Sequence, residues 1–154
     1  MTHPIDARLT ELGLTLPDSP APAANYVPFV RCGNQLFVSG QISRDAGGLI
    51  TGKLGADLTV AQGAAAAKTC ALALLAQVRA ACDGDWDKLR RVVKLTGFVN
   101  STPDFIEQPM VVNGASDLLV AVLGDAGRHA RSAVSTASLP LGVAVEVEGI
   151  FELA

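Results

Sequence analysis

The sequence predicts a two-layer α+β domain, a mixed β-sheet backed by two helices, and three observations carry that reading. Two stretches, about 60–82 and 104–123, are apolar and long enough for helices. Strand-rich runs lie before, between and after them, the order expected of sheet and helices packed as two layers. The final run alternates Val143, Val145, Val147, Phe151 and Leu153 with Ala144, Glu146, Glu148 and Ile150, so it has apolar character on both parities. Two helices cover only one face of a sheet, and association of several copies is the simplest way to bury the other.

Each element has its own signal. Residues 5–14 (IDARLTELGL) suit a short helix with Ile5, Leu9 and Leu12 or Leu14 along one side, and the proline-rich stretch behind it reads as an extended connector. Residues 1–25 are therefore an N-terminal arm and connector, and 26–154 form the body of a single domain. Two β-rich runs around Gly33-Asn34, a dipeptide that tolerates positive φ, predict a hairpin. Asp57 or Thr59 can cap the first long helix, and Thr59 with Gln62 has the form of a capping box. Within that helix Ala71, Leu75, Val78 and Cys82 form one apolar stripe. The run 90–100 (RRVVKLTGFVN) reads as a strand with Val93 and Leu95 on one face and Phe98 on the other. Pro109 should start the second helix late or kink it. The chain then returns to strands at 131–138 and 143–153 around the turn LPLG, with a further strand expected near 54–58.

Composition narrows the function. The 154 residues are 49% hydrophobic and 18% charged, with a net charge of −3 and no run of basic residues, so nothing answers a phosphate backbone. Only 5% are aromatic, too few for a base-stacking platform, and nucleic acid is not an expected partner. Cys32, Cys70 and Cys82 are odd in number, and the last two would lie about 18 Å apart along a helix, too far to bridge. They read as buried free thiols of a reducing compartment. With His3 and His129 as the only histidines and no CxxC pair, no metal site is expected. The acidic N-terminus lacks an apolar core of signal-peptide length, and Lys68 and Arg79 interrupt the most apolar stretch. A soluble cytoplasmic protein, not bound to membrane, is the expectation.

The chemistry centres on Arg131, a cation opening a strand of small residues. If a hairpin returns the next strand beside it, Glu146 and Glu148 share a face near that cation. Ser39-Gly40, at the end of an early strand, can expose backbone N–H groups where a ligand comes close, because Gly lacks a Cβ. An arginine fork binds a small carboxylate in two places, and a nearby carboxylate can orient a water. No nucleophile with an adjacent base and no Gly-rich phosphate loop is visible, so any reaction would use water.

The segments HARSAVSTASLPLGVAVEVEGI and NQLFVSGQIS resemble the Rid (YjgF) family of reactive-intermediate deaminases, also known as L-PSP endoribonucleases or translation-inhibition proteins. The resemblance runs from about Tyr26 to the C-terminus, with its Arg-Ser, Leu-Pro and Val-Glu-Val elements in the family's order and spacing. It implies a chorismate-mutase-like fold, a homotrimer whose sheets face a central barrel, sites in the clefts between subunits, and no cofactor. It also implies hydrolysis of 2-imino acids, formed from 2-aminoacrylate-type enamines, to 2-keto acids and ammonia. By position, Arg131 matches the arginine that grips the carboxylate and Glu146 the glutamate that positions water. Tyr26, Ser39, Gly40 and Asn113 match the pocket tyrosine, the Ser-Gly pair and an asparagine. Two positions depart from the pattern: His129 stands where Pro or Ala is common, and Ala133 where Cys is common. His129 is placed either in the pocket wall or at its solvated edge. The N-terminal arm and a long 105–112 segment resemble a side branch of the family.

Three functions compete. An imine deaminase needs Arg131 and Glu146; a carboxylate-sensing trimer needs Arg131 and tolerates loss of Glu146. A ribonuclease is the weakest reading, since the chain is acidic and lacks the His/Lys/Glu constellation of phosphodiester cleavage.

Overall fold

The computed structural model describes residues 1–19 and 24–154; the middle of the expected connector, 20–23, lies outside the described residues. In chain order the elements are α1 (Pro4–Glu11), β1 (Phe29–Cys32), β2 (Gln35–Ile42), β3 (Arg44–Asp45), β4 (Gly48–Leu49), α2 (Val60–Ala81), β5 (Leu89–Asn100), α3 (Gln108–Leu123), β6 (Ala130–Thr136) and β7 (Val145–Leu153). The strand order of the main sheet is β1-β2-β7-β5-β6, with β5 and β6 parallel and the other pairs antiparallel. Helices α2 and α3 pack on one face, giving the expected two layers.

Local signals act where the sequence put them. Gly33, at φ +62°, turns the β1–β2 hairpin, whose last pair is Cys32 with Gln35. The capping box forms: Thr59 Oγ1 accepts from the Gln62 N–H at 3.2 Å, and Gln62 Oε1 accepts from the Thr59 N–H at 2.9 Å. The stripe Ala71, Leu75, Val78 and Cys82 is fully buried. Pro109 sits in the first turn of α3, where a missing N–H costs nothing, so the helix starts late rather than kinking. Leu9 of α1 is buried, and the arm is tied down by Trp86 Nε1 donating to Asp6 (3.0 Å) and Arg8 Nε donating to the Ala121 carbonyl (2.9 Å).

Several expectations need correcting. A bulge between Val92 and Lys94 puts Val92 in the core with Leu95, and leaves Val93 half-buried. The strand near 54–58 is only a pair of bridges from Leu54, to Leu58 and Ser101. Cys70 and Cys82 are buried free thiols, but Cys32 is exposed on the edge strand β1. The largest correction concerns topology: β7 does not return beside β6. β5, α3 and β6 form a parallel crossover unit, which places the small, polar β6 at the sheet edge. The more apolar β7 takes the central place between β2 and β5.

The linker that makes this possible crosses the end of β5 and is held there by Asn100. Its Nδ2 donates to the Val143 carbonyl (3.1 Å), while Oδ1 accepts from Lys53 Nζ (2.7 Å). Lys53 Nζ also donates to the Ala137 carbonyl, and Leu141 (φ 58°) and Gly142 (φ 72°) complete the turn in the left-handed region. α2 and α3 cross so closely that a Cβ on Gly114 would lie 2.7 Å from the Ala64 carbonyl carbon and 2.9 Å from its Cα.

Candidate active site

The site residues fall into two groups on opposite faces of the sheet. In β6, Arg131 is in register with Leu95, whose side chain lies in the core beneath the helices. In β7, Glu146 is in register with Phe98 and Ile42, on the open face. Paired residues in a sheet share a face, so the expectation that Arg131 and Glu146 meet in one pocket of a single chain is overturned. The reason is the topology: β5 stands between their strands, and successive side chains along β5 alternate faces.

The first group surrounds the guanidinium. Arg131 Nη1 donates to Asn113 Oδ1 (2.9 Å) and Ser116 Oγ (3.1 Å), and Nη2 donates to the Pro109 carbonyl at 3.4 Å. Three residues of one face of α3, at i, i+4 and i+7, thus grip an arginine from β6. Ser116 in turn lies 2.9 Å from His129 Nε2, and His129 Nδ1 lies 2.6 Å from the Gly127 carbonyl. All the side-chain partners of Arg131 are neutral, and among the described residues no carboxylate pairs with it. Among the described residues its Nε–H and one Nη2–H are left without a protein acceptor, and they form one edge of the planar fork.

Asn113, expected at the substrate pocket, bonds the arginine directly, and His129, expected there too, reaches it through Ser116. Ser116 was missed. The signal was present, since Asn113 and Ser116 are spaced i, i+3 in a helix otherwise rich in Val, Leu and Ala. The sequence showed no nucleophile with an adjacent base; the structure does place the Ser116 hydroxyl against the His129 ring, on the side of the guanidinium that its own partners occupy. Burial, and then the Arg131 charge, pull His129 below the ordinary histidine value against the opposing bond to Gly127.

The second group lies on the open face. The β2–β7 register slips between Val38 and Gln41, a bulge at Ser39–Gly40, and Glu146 folds over the glycine. A Cβ on Gly40 would fall 3.0 Å from Glu146 Cδ and 3.1 Å from Cγ, with Oε1 closer still. The space left by the absent side chain is thus faced by Glu146. Ser39 donates its hydroxyl to the Val27 carbonyl (2.9 Å), and its N–H to the Pro28 carbonyl (2.9 Å), which fastens the segment after Tyr26 to β2. Tyr26 itself is exposed. Glu146 sits in a cross-strand row with Ile42, Phe98 and Val134, and burial there, followed by repulsion from Glu148, raises its carboxyl above the ordinary value. The same face carries Val30 and Phe37, exposed at 53% and 42%. Among the described residues no three His, Cys, Asp or Glu side chains gather as a metal cluster.

Comparison with known proteins supports the same architecture. Residues 6–153 match the family model described as "YjgF/chorismate mutase-like, putative endoribonuclease". Protein TCP17 of Trypanosoma cruzi is 55% identical over 151 residues, spanning 97% of this chain and 94% of that one. The crystal structure of Atu1372 from Agrobacterium tumefaciens, a protein of unknown function, is 53% identical with a TM-score of 0.91, covering 98% of this chain and 93% of that one. A structure from Shewanella oneidensis described as a "putative endoribonuclease" is 38% identical, TM-score 0.91, with 97% and 99% covered.

Proposed function

This chain belongs to the YjgF/chorismate mutase-like family, and we propose that it is a cofactor-free hydrolase converting 2-imino acids to 2-keto acids and ammonia. The observation that carries the reading is Arg131: a half-buried cation fixed by neutral partners and, among the described residues, without a carboxylate of its own and with the Nε/Nη2 edge free. Such an edge is complementary to a small carboxylate, which it would bind in two places.

The second half of the site is Glu146, and it requires another copy. Arg131 lies on the edge strand and Glu146 on the open, partly apolar face, so association through that face brings one copy's carboxylate to the next copy's arginine. A homotrimer is the assembly proposed, with each cleft built from two subunits. Exposed Val30, Phe37 and Val134 support burial of this face.

In that cleft Arg131 holds the substrate carboxylate and places the imine carbon before a water on Glu146. Glu146 takes a proton from the water as its oxygen bonds to the carbon of the protonated imine, giving a neutral tetrahedral carbinolamine. Return of that proton to nitrogen makes it an ammonium leaving group, and Glu146 takes the hydroxyl proton as the C–N bond breaks, C=O forms and ammonia departs. A carboxyl raised above its ordinary value is a stronger base and a better-matched proton carrier for this exchange. Water is the only co-reactant, and orientation and electrostatics supply the acceleration. Tyr26, beside the Gly40 bulge, would close the cleft. A cytoplasmic setting suits the unpaired cysteines.

The test is keto-acid and ammonia release from an imino acid generated in situ, with semicarbazide as competing trap. Wild type should outpace the trap, while Arg131→Ala and Glu146→Gln should not. If all three equal the enzyme-free rate across several side chains, catalysis is excluded. Retained binding of a 2-keto acid would then favour a carboxylate sensor, for which the neutral cradle of Arg131 alone suffices.

A further inference from the structure

Resting on the reading of Arg131 as the carboxylate-binding group, we infer that Ser116 and His129 are positioning residues. They lock its guanidinium through a one-way hydrogen-bond chain that exists only while His129 is neutral. The direction of the chain follows from counting protons. Arg131 can only donate, so Ser116 Oγ accepts from it. The Gly127 carbonyl can only accept, so the one proton of the neutral His129 ring is on Nδ1, and Ser116 Oγ, 2.9 Å from Nε2, donates its own proton there. Nδ1–H donates to the Gly127 carbonyl at 2.6 Å. Each hydrogen bond in the chain then has one direction.

Protonating His129 breaks this pattern. With N–H on both ring nitrogens, Ser116 would face donors from the ring and from Arg131, and its own proton would lack that acceptor. A second cation would also lie one hydroxyl away from the guanidinium. The charged surroundings offer little relief: Arg131 from β6 is the charge that bears on the ring. Arg91 from β5 is engaged with the Arg128 carbonyl, Arg128 pairs with Asp125, and α3 presents neutral Ser116. The depressed affinity of His129 for protons agrees with this arrangement. The serine is not placed as a nucleophile, because its partners occupy the Nη1 side of the guanidinium and the free edge for ligand is Nε/Nη2.

The experiment has two independent readouts. The first is binding of pyruvate, with pyruvamide as the neutral control, from about pH 8 to about pH 5, a span that covers ordinary histidine titration. Wild-type affinity should fall as pH drops below the ordinary histidine value of 6.5. Ser116→Ala should weaken binding roughly tenfold near pH 8, in line with loss of a charge-assisted bond. His129→Gln, which offers an acceptor that cannot protonate, should keep the affinity and flatten the histidine part of the profile. Glu146, on the other face of the sheet, is common to both proteins, so its protonation cancels in that comparison. Equal binding by Ser116→Ala, or a wild-type profile in His129→Gln, overturns the inference.

The second readout needs no ligand: nitrogen NMR of the arginine and histidine side chains. Wild type should show slow rotation of the Arg131 guanidinium and an Nδ1–H tautomer of His129, with rotation released by Ser116→Ala. If wild type binds no 2-keto acid yet shows the locked arginine, the carboxylate reading falls and the hydrogen-bond chain stands. Free rotation in wild type overturns the chain itself. Stoichiometric labelling of Ser116 by a fluorophosphonate would also contradict it, by making the serine a nucleophile.

Discussion

Gly40→Ala is the substitution whose effect the geometry fixes most closely. The new Cβ would stand 3.0 Å from Glu146 Cδ, against about 3.5–4.0 Å for an ordinary carbon–carbon contact, and closer still to Oε1, so the carboxylate must retreat by about 1 Å. What must move is the tip of a flexible side chain on the open face, not backbone. Stability should therefore change by less than about 1 kcal/mol, with Gly→Ala itself favouring the fold through a less free unfolded chain. Catalysis has no such slack: a displacement near 1 Å in a positioned group costs on the order of a hundredfold. The expected variant has a Tm near wild type, a KM little changed because Arg131 is untouched, and a kcat of keto-acid release lowered roughly 10- to 100-fold. Wild-type kcat in a folded Gly40→Ala protein would refute the placement of Glu146 over Gly40 as the catalytic arrangement. A stability loss above about 3 kcal/mol would refute the argument that only the side-chain tip yields.

Three further substitutions probe other parts of the account. Gly114→Ala should destabilise by about 2–3 kcal/mol in urea unfolding despite better helix propensity, since its Cβ meets the α2 backbone at Ala64; a gain in stability would mean the crossing is looser than described. Asn100→Ala strands the Val143 carbonyl and frees Lys53, and should cost about 2–3 kcal/mol, with the 137–144 linker the first region to lose amide protection. Glu146→Gln should raise Tm at neutral pH while abolishing turnover. The sign follows from a folded-state pKa raised above 4.5: below 4.5 the glutamate is protonated in both states and the variant has no advantage. The advantage grows as pH rises through the folded pKa. An equal Tm at every pH would show that the carboxylate is not strained by burial.

The helices, the β1–β2 hairpin and the capping of α2 were legible because each rests on local chemistry: a positive-φ dipeptide, a Thr–Gln pair, a stripe at helical spacing. Arg131 and Glu146 stood out as candidates, through the oddity of charge in a strand of small side chains and through family resemblance. Their relation was not. Adjacent strands in sequence read naturally as a hairpin, yet the parallel β5–α3–β6 unit puts β6 at the edge, and nothing in 137–144 announces a linker that crosses another strand. The Asn100 anchor that secures it is a long-range contact, invisible to periodicity. The same holds for Ser116, whose meaning depends on His129 and Arg131 arriving from another element. Val93 was misplaced by a single bulge, which inverts the face of every residue beyond it.

The central claim is that the reaction centre is shared, with Arg131 from one copy and Glu146 from the next. Two inactive variants, Arg131→Ala and Glu146→Gln, should be mixed as unfolded chains, refolded together and assayed for imine hydrolysis. In a closed ring assembled at random from equal parts, about a quarter of the clefts combine an intact arginine with an intact glutamate, so roughly a quarter of wild-type activity should return. Co-assembled protein that stays as inactive as either parent would contradict the shared site.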